Sequence, residues 1–584
     1  MRRVGSKPIA RGLIGAVVVA LFLAMTPLAA ESKSGPSKID PALLAAATAR
    51  PNELFPVIVR GAPSALAPLN TVVPAPGRNT QGRDENAARV KKAESALSAS
   101  TADGARRSLA IVGGASGALS GSQIVALSRE ALVDRVIQDQ TFTATWKGDN
   151  VDSSDDTNDA EAVREPAIEA VNAPKVWESK GLSGNGIAVA VIDSGVADHP
   201  DLAGRIVARV DMTGEGSQGD PGGHGTYVAG LIAGNGAASN GAYTGVAPKA
   251  NIASVRVIDA TGHAKLSTIF AGLQWVLANR TTYNIRIANL SFGATALTGY
   301  QNDLLASAVE MLNFAGLTVV VSAGNQGAGQ STITTPATDP FVLTVGADDD
   351  HNTASLRDDS VAKWSSRGPT AFDGIAKPDL IAPGRKVVGL RVAGSTIDTL
   401  NTDRRVKAKG QKTAQYFTMS GTSVAAPIVA GVAALYLEKH PAATPREVKS
   451  QLTATARPIG GARVMDQGAG VVDAYAAVTK SPVAAPFSKY PASGAFAEQV
   501  FAMLYGQPLV WRDPSFNGGV DSHGVPWASV TWENITWDGI TWESVTWEAF
   551  DWQGITWEGL TWEDVTWDTR SGPRGARGAW ELVD

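Results

Sequence analysis

The sequence predicts an α/β fold in which a doubly wound, mostly parallel sheet lies between helices on both faces, preceded by a small α+β unit. Two observations carry the larger prediction. From about residue 171 to 478, apolar runs alternate with helical runs, the order that builds a parallel sheet. The apolar runs at 186–192 (GIAVAVI), 252–258, 286–291 and 317–322 show little polar alternation, as strands buried on both faces do. The helical runs follow His224, Leu266 and Ser423. For the smaller unit, residues 54–60 (LFPVIVR) and 108–112 (SLAIV) are strand-like. Residues 122–138 place Ile124, Leu127, Ala131 and Val136 close to helical spacing. Between the strand-like runs, residues 63–98 read as loop and then as a charged stretch.

A chain of 584 residues exceeds what one core organises, so several domains are expected. The boundaries fall at 1–30, 31–165, 166–480, 481–525, 526–569 and 570–584. The net charge of -5 offers no concentrated basic face, so nucleic acid is not an expected partner. The absence of cysteine excludes disulfides, thiolate metal sites and cysteine nucleophiles.

Residues 1–30 have the order of an export signal. Arg2, Arg3, Lys7 and Arg11 precede an apolar run at 13–25, and Ala29 and Ala30 follow. That run is shorter than the roughly 20 residues a spanning helix needs. Cleavage is expected after Ala30, which predicts a secreted chain. Residues 149–165 are acidic and 481–525 are rich in proline, glycine and serine, as linkers are. In 526–569 a tryptophan recurs every five residues, from Trp527 to Trp567, with no Lys or Arg between Arg512 and Arg570. A five-residue period fits neither a helix nor a flat strand. Two readings stand open for this segment. It either binds carbohydrate, cell wall or the protein's own surface, which would associate the chain with a cell surface, or it is a disordered tail that is trimmed.

Four stretches carry the candidate chemistry. Val191-Ile192-Asp193-Ser194-Gly195 ends a buried strand on a carboxylate, and Gly223-His224-Gly225-Thr226 opens a small-residue helix. Ser322-Ala323-Gly324-Asn325 ends another strand on an amide, and Ser420-Gly421-Thr422-Ser423 opens a second helix. A serine hydroxyl needs an adjacent base, imidazole is the base suited to neutral pH, and the imidazolium needs a buried carboxylate. Asn325 and the Ser423 N–H would supply the donors a tetrahedral intermediate requires.

The stretches VIDSG, GHGTYVAG, SAGN and SGTSVAAP, in that order, resemble the four signatures of the subtilisin (subtilase) family. The resemblance implies a secreted serine endopeptidase in which Asp193 orients the base, His224 is the base, Ser423 attacks and Asn325 lines the oxyanion hole. It implies a substrate edge at Ser291, Phe292, Gly293 and Gly324, with Gly262 on the facing strand, and protein or peptide substrates. No cofactor is implied for the chemistry, but a structural calcium is, with Asp201 as a ligand and residues 234–243 as the second half of its site. Residues 31–165 resemble the family's inhibitory propeptide, making the chain's own propeptide a partner. Residues 396–415 read as an exposed insertion. Two rival functions are a surface-binding protein on an inactive subtilase scaffold and an enzyme dedicated to its own processing.

Overall fold

The computed structural model describes residues 38–62, 81–97, 106–143, 166–485, 490 and 492–493. The export signal, the acidic linker, the tryptophan repeat and the last fifteen residues lie outside them. So does most of the 481–525 linker.

The larger body is built on one sheet. Its strands run in the spatial order Ser360–Val361, Leu343–Asp349, Thr318–Ser322, Ile285–Leu290, Ala188–Asp193, Asn251–Arg256 and Ile206–Asp211, and Leu380–Pro383 also pairs with Leu343–Asp349. Every pairing is parallel except that of Ser360–Val361. The central strand, Ala188–Asp193, is buried at every residue. Helices Leu266–Asn279 and Leu304–Phe314 pack together over one face. Helix Thr422–Lys439 covers the other, with His224–Ala233 packed against it. The doubly wound α/β fold read from alternating runs is therefore the fold found. Pro427 is the sixth residue of helix Thr422–Lys439, past the first turn, so the Ser423 carbonyl lacks the intrahelical N–H of that position.

The smaller unit is a four-stranded antiparallel sheet, ordered Arg107–Leu109, Gly114–Ser120, Leu54–Gly61, Val133–Gln138. It has its own core, including Leu43, Phe55, Val59, Leu119, Ile124 and Val136. Three local expectations change here. The helix expected over 122–138 spans only Gly121–Leu127, and the rest forms strand Val133–Gln138. Pairing with Leu54–Gly61 overrides a helical spacing that is only approximate. The strand-like run SLAIV bends into a 3-10 turn at Ala110–Val112. The charged stretch forms helix Gln81–Leu97. Its apolar face is narrow but real: Val90, Ala93 and Leu97 are buried, at the three- and four-residue steps of one helix face.

The small unit is seated on the larger body. Ile58, Leu109, Ile111, Val112 and Phe142 belong to the larger body's core cluster. Strand Thr141–Thr143 pairs antiparallel with His263–Lys265. Just before it, the Asp139 carboxylate accepts the Ser267 N–H at 2.8 Å and the Ser267 hydroxyl at 2.7 Å. A carboxylate there satisfies orphan donors at the start of helix Leu266–Asn279 and complements its dipole. Replacing Asp139 with alanine removes that cap. Amide exchange in 141–143 and in the first turn of the helix should then rise about fivefold, the equivalent of about 1 kcal/mol, while the central sheet is unchanged. Unchanged exchange at both places would show that Asp139 does not hold the unit.

Candidate active site

Asp193 is the last residue of the central strand, and its side chain is fully buried. Such a charge needs partners. The His224 Nδ1 lies 2.9 Å and 3.0 Å from its two carboxylate oxygens, and the Ser194 N–H donates to Oδ1 at 2.7 Å. His224 is itself buried, the first residue of helix His224–Ala233, after Gly223 with φ 93°. Burial alone pulls the imidazolium pKa down, but the Asp193 charge and hydrogen bond, with the Asp220 charge behind them, leave it raised above its ordinary 6.5.

Asp220 escaped the sequence reading. It is buried and accepts from the Gly223 N–H, the Ser194 hydroxyl and the Thr226 N–H and hydroxyl, each at 2.7 Å. The Gly225 N–H in turn reaches Ser194 Oγ at 2.9 Å. Asp220 thus ties the helix start that carries His224 to the strand end that carries Asp193. An acid four residues before a glycine-flanked histidine was the available signal, since carboxylates favour helix N-termini.

Ser423 is the second residue of helix Thr422–Lys439 and is half-buried. Asn325 faces the same spot. Its Oδ1 accepts the Thr422 N–H at 2.9 Å and the Thr422 hydroxyl at 3.0 Å, which fixes the amide so that Nδ2 points away from those donors. The Gly324 N–H donates to the same hydroxyl at 3.1 Å. A Cβ placed on Gly421 would lie 2.8 Å from Ser423 Oγ, 3.4 Å from Asn325 Nδ2 and 3.6 Å from the Ser423 nitrogen. One atom-sized space is therefore bordered by a hydroxyl and two N–H donors.

The residues expected along the substrate edge have the following surroundings. Ser291 and Phe292 are buried beyond the end of strand Ile285–Leu290. A Cβ on Gly293 would meet Thr334 Oγ1 at 2.4 Å, and one on Gly324 (φ 108°) would meet Thr334 and Ser366 within 3 Å. Both glycines are thus demanded by close approach. Gln326 Nε2 donates to Thr295 at 2.9 Å. Gly262 (φ 89°) turns the chain into His263–Lys265, the strand already carrying Thr141–Thr143.

Two expectations need correction. Calcium does not fit the residues around Asp201. That buried carboxylate accepts the Ala238 N–H at 2.7 Å and the Tyr416 hydroxyl at 2.8 Å. The Arg205 guanidinium donates to the carbonyls of Asp201, Ala233 and Ala250. Asn235, from 234–243, turns its Oδ1 onto the Ala237 N–H at 3.0 Å. A hard cation needs oxygen lone pairs, and here donors and a guanidinium already take them. The insertion at 396–415 is only partly exposed. Thr402 and Asp403 face solvent, but Asp398 is buried between Arg391 and Arg405, which hold its pKa down to about 2 against burial. The Thr396 and Ile397 N–H groups bond the carbonyls of Pro221 and Gly222 at 2.9 Å and 3.1 Å, bracing the approach to His224.

A family model described as the subtilase family matches residues 184–482. The chain belongs to the subtilase family. Among its relatives, Serine protease AprX of Bacillus subtilis is 44% identical over 301 residues, 50% of this chain and 66% of AprX. Subtilisin Savinase of Lederbergia lenta is 35% identical over 311 residues, 53% of this chain and 97% of Savinase. The crystal structure of fervidolysin from Fervidobacterium pennivorans, a keratinolytic enzyme related to subtilisin, superposes with a TM-score of 0.52 at 23% identity. It covers 74% of this chain and 62% of fervidolysin, a likeness of fold. This subtilase carries the serine endopeptidase domain of those relatives.

Gly421→Ala would put a methyl into the space beside Ser423. Peptide hydrolysis, measured well below the variant's thermal midpoint, should fall at least about 10²-fold, the scale of losing one oxyanion donor. The midpoint should fall as well, because Gly421 has φ 157° and ψ 159°, a region open essentially to glycine. Undiminished turnover would show that this space is not where the reaction's charge develops.

Proposed function

We propose that this subtilase hydrolyses internal peptide bonds through an acyl-enzyme on Ser423. Two observations support the reading: the buried Asp193–His224 pair and the space that Ser423 shares with Asn325. Because the Nδ1–H is donated to Asp193, the neutral ring carries its lone pair on Nε2, the nitrogen suited to take the serine proton. Ser423 Oγ attacks the carbonyl carbon of the substrate as that proton passes to His224. The carbonyl oxygen gains negative charge against Asn325 Nδ2 and the Ser423 N–H. The imidazolium, steadied by Asp193, then protonates the departing amine. A water attacks the acyl-enzyme by the same route and returns Ser423 to its hydroxyl form. The family's chemistry needs no cofactor.

Substrate would bind as an extended strand along Gly262 on one side and Ser291, Phe292, Gly293 and Gly324 on the other. Gln326, an uncharged residue engaged by Thr295, and the apolar Phe292 favour uncharged P1 side chains. The antiparallel pairing of Thr141–Thr143 with His263–Lys265 supports residues 31–165 as a propeptide that occupies this edge, cut between about Gln138 and Glu165. The same pairing favours a second reading, in which self-processing is the main task. The positive, apolar, small-residue order of residues 1–30 supports export, and the tryptophan segment is read as a docking or trimmed tail.

Fluorophosphonate should label the wild-type chain and not Ser423→Ala, and mass spectrometry should find 31–165 removed only in the wild type. Absence of labelling in the wild type as well would support the inactive-scaffold reading instead. The base must be neutral to act, so activity is present above the His224 pKa and lost as pH falls through it. The acid limb of kcat/KM should therefore lie above 6.5, and Asp193→Asn should lower turnover about 10⁴-fold. A limb below 6.5 would contradict the assigned pairing.

A further inference from the structure

The acidic turn after strand Leu343–Asp349 plays no part in the chemistry above. Ser360–Val361 returns antiparallel to that strand, with Asp348 opposite Val361 and Asp349 opposite Ser360. The loop 350–359 is thereby closed, with Asp348 at one foot and Asp359 at the other. The side chain of Asp348 is fully buried and that of Asp359 is 7% exposed. The two carboxyls interact directly, and none of their four oxygens has a hydrogen-bond donor.

The neighbouring acids are accounted for differently. Asp349 accepts the His351 N–H at 3.2 Å and lies 3.5 Å from the Arg385 guanidinium and 3.7 Å from the His351 ring. Asp350 accepts the Asn352 N–H at 3.0 Å, and Asp358 takes the Thr353 hydroxyl at 3.3 Å and 3.4 Å. Arg457 and His351 lie near enough to Asp359 to act electrostatically without donating to it.

Buried carboxylates are normally hydrogen-bonded or paired. Two that face each other with lone pairs and no donors form an oxygen cradle for a hard cation. We propose that Asp348 and Asp359 form a calcium site that clamps the feet of the 350–359 loop together. Two carboxylates completed by water and backbone oxygens make a modest site. Among the described residues no three acidic or histidine side chains are grouped to hold one ion, and binding on the order of 10⁻⁴–10⁻³ M follows. Without the ion, burial and then the Asp359 charge push the Asp348 carboxyl up to about 10, so the pair would keep a proton.

The clamp has a route to the active site. The Asp348 carbonyl accepts the Gly384 N–H at 2.9 Å, and the Gly384 carbonyl accepts the Gly421 N–H at 2.8 Å. Lys386 N–H also holds Ser420 Oγ at 2.9 Å. Two backbone hydrogen bonds therefore separate the clamp from the residue beside Ser423.

The test compares the full chain carrying Ser423→Ala, which prevents self-digestion, with the same chain carrying Asp348→Asn and Asp359→Asn. Two facing amides can hydrogen-bond and keep the loop closed. Equilibrium dialysis with radioactive calcium should show one fewer ion per chain in the double-asparagine form. Calcium in place of chelator should raise the parent's Tm by on the order of 2–5 °C more than that of the derivative. Equal stoichiometry with equal calcium-dependent shifts would overturn the proposal and leave the proton-sharing pair. If the derivative does not fold, Asp359→Asn alone is judged by the same two readings.

Discussion

A charged side chain at the end of a fully buried strand is the constraint on which the site depends. Asp193 cannot stand there alone, because removing one partner of a buried ion pair typically costs about 3–5 kcal/mol. Parallel pairing on both sides, with Ile285–Leu290 and Asn251–Arg256, leaves the strand no freedom to carry the carboxylate outward. The His224 helix must therefore begin where its ring meets that carboxylate. Asp220 enforces this by holding the helix's first N–H groups and the Ser194 hydroxyl at once. What looks like a catalytic accessory is first a solution to burial, and its consequence is a histidine whose charged form is favoured.

The same device recurs where the larger body meets other segments. Asp139 caps helix Leu266–Asn279 from the small unit, and Glu438 accepts the Ser183 and Gly184 N–H groups at 2.7 Å and 2.6 Å. Asp398 gathers two arginines behind the histidine loop. Near Asp201 the Arg205 guanidinium takes the carbonyls of Asp201, Ala233 and Ala250. A fixed side-chain cation does there what a diffusible ion does elsewhere, whereas Asp348 and Asp359 have no such substitute.

Much of this was legible in the sequence. The buried strands announced themselves as unbroken apolar runs, and the glycine-flanked His224 and Ser423 stood at the starts of small-residue helices where the structure places them. Asn325 was legible too, from the Ser322-Ala323-Gly324-Asn325 run that ends its strand. Less legible were residues whose importance comes from distant partners. Asp220 and Asp139 look like surface acids until the donors around them, from other elements, are known. The charged helix Gln81–Leu97 was hidden because its buried apolar face, Val90, Ala93 and Leu97 among the described side chains, is narrow. The helical spacing of 122–138 misled because a neighbouring strand competed for its second half. Asp201 stands where the resemblance expects a calcium ligand, but donors already take its carboxylate.

The central claim is that Asp193 fixes the proton on His224 Nδ1. Nitrogen-15 NMR of the imidazole in the Ser423→Ala chain tests it directly. The account predicts an Nδ1–H tautomer at high pH, converting to imidazolium with a midpoint above 6.5. An Nε2–H tautomer, or a midpoint below that value, would contradict it.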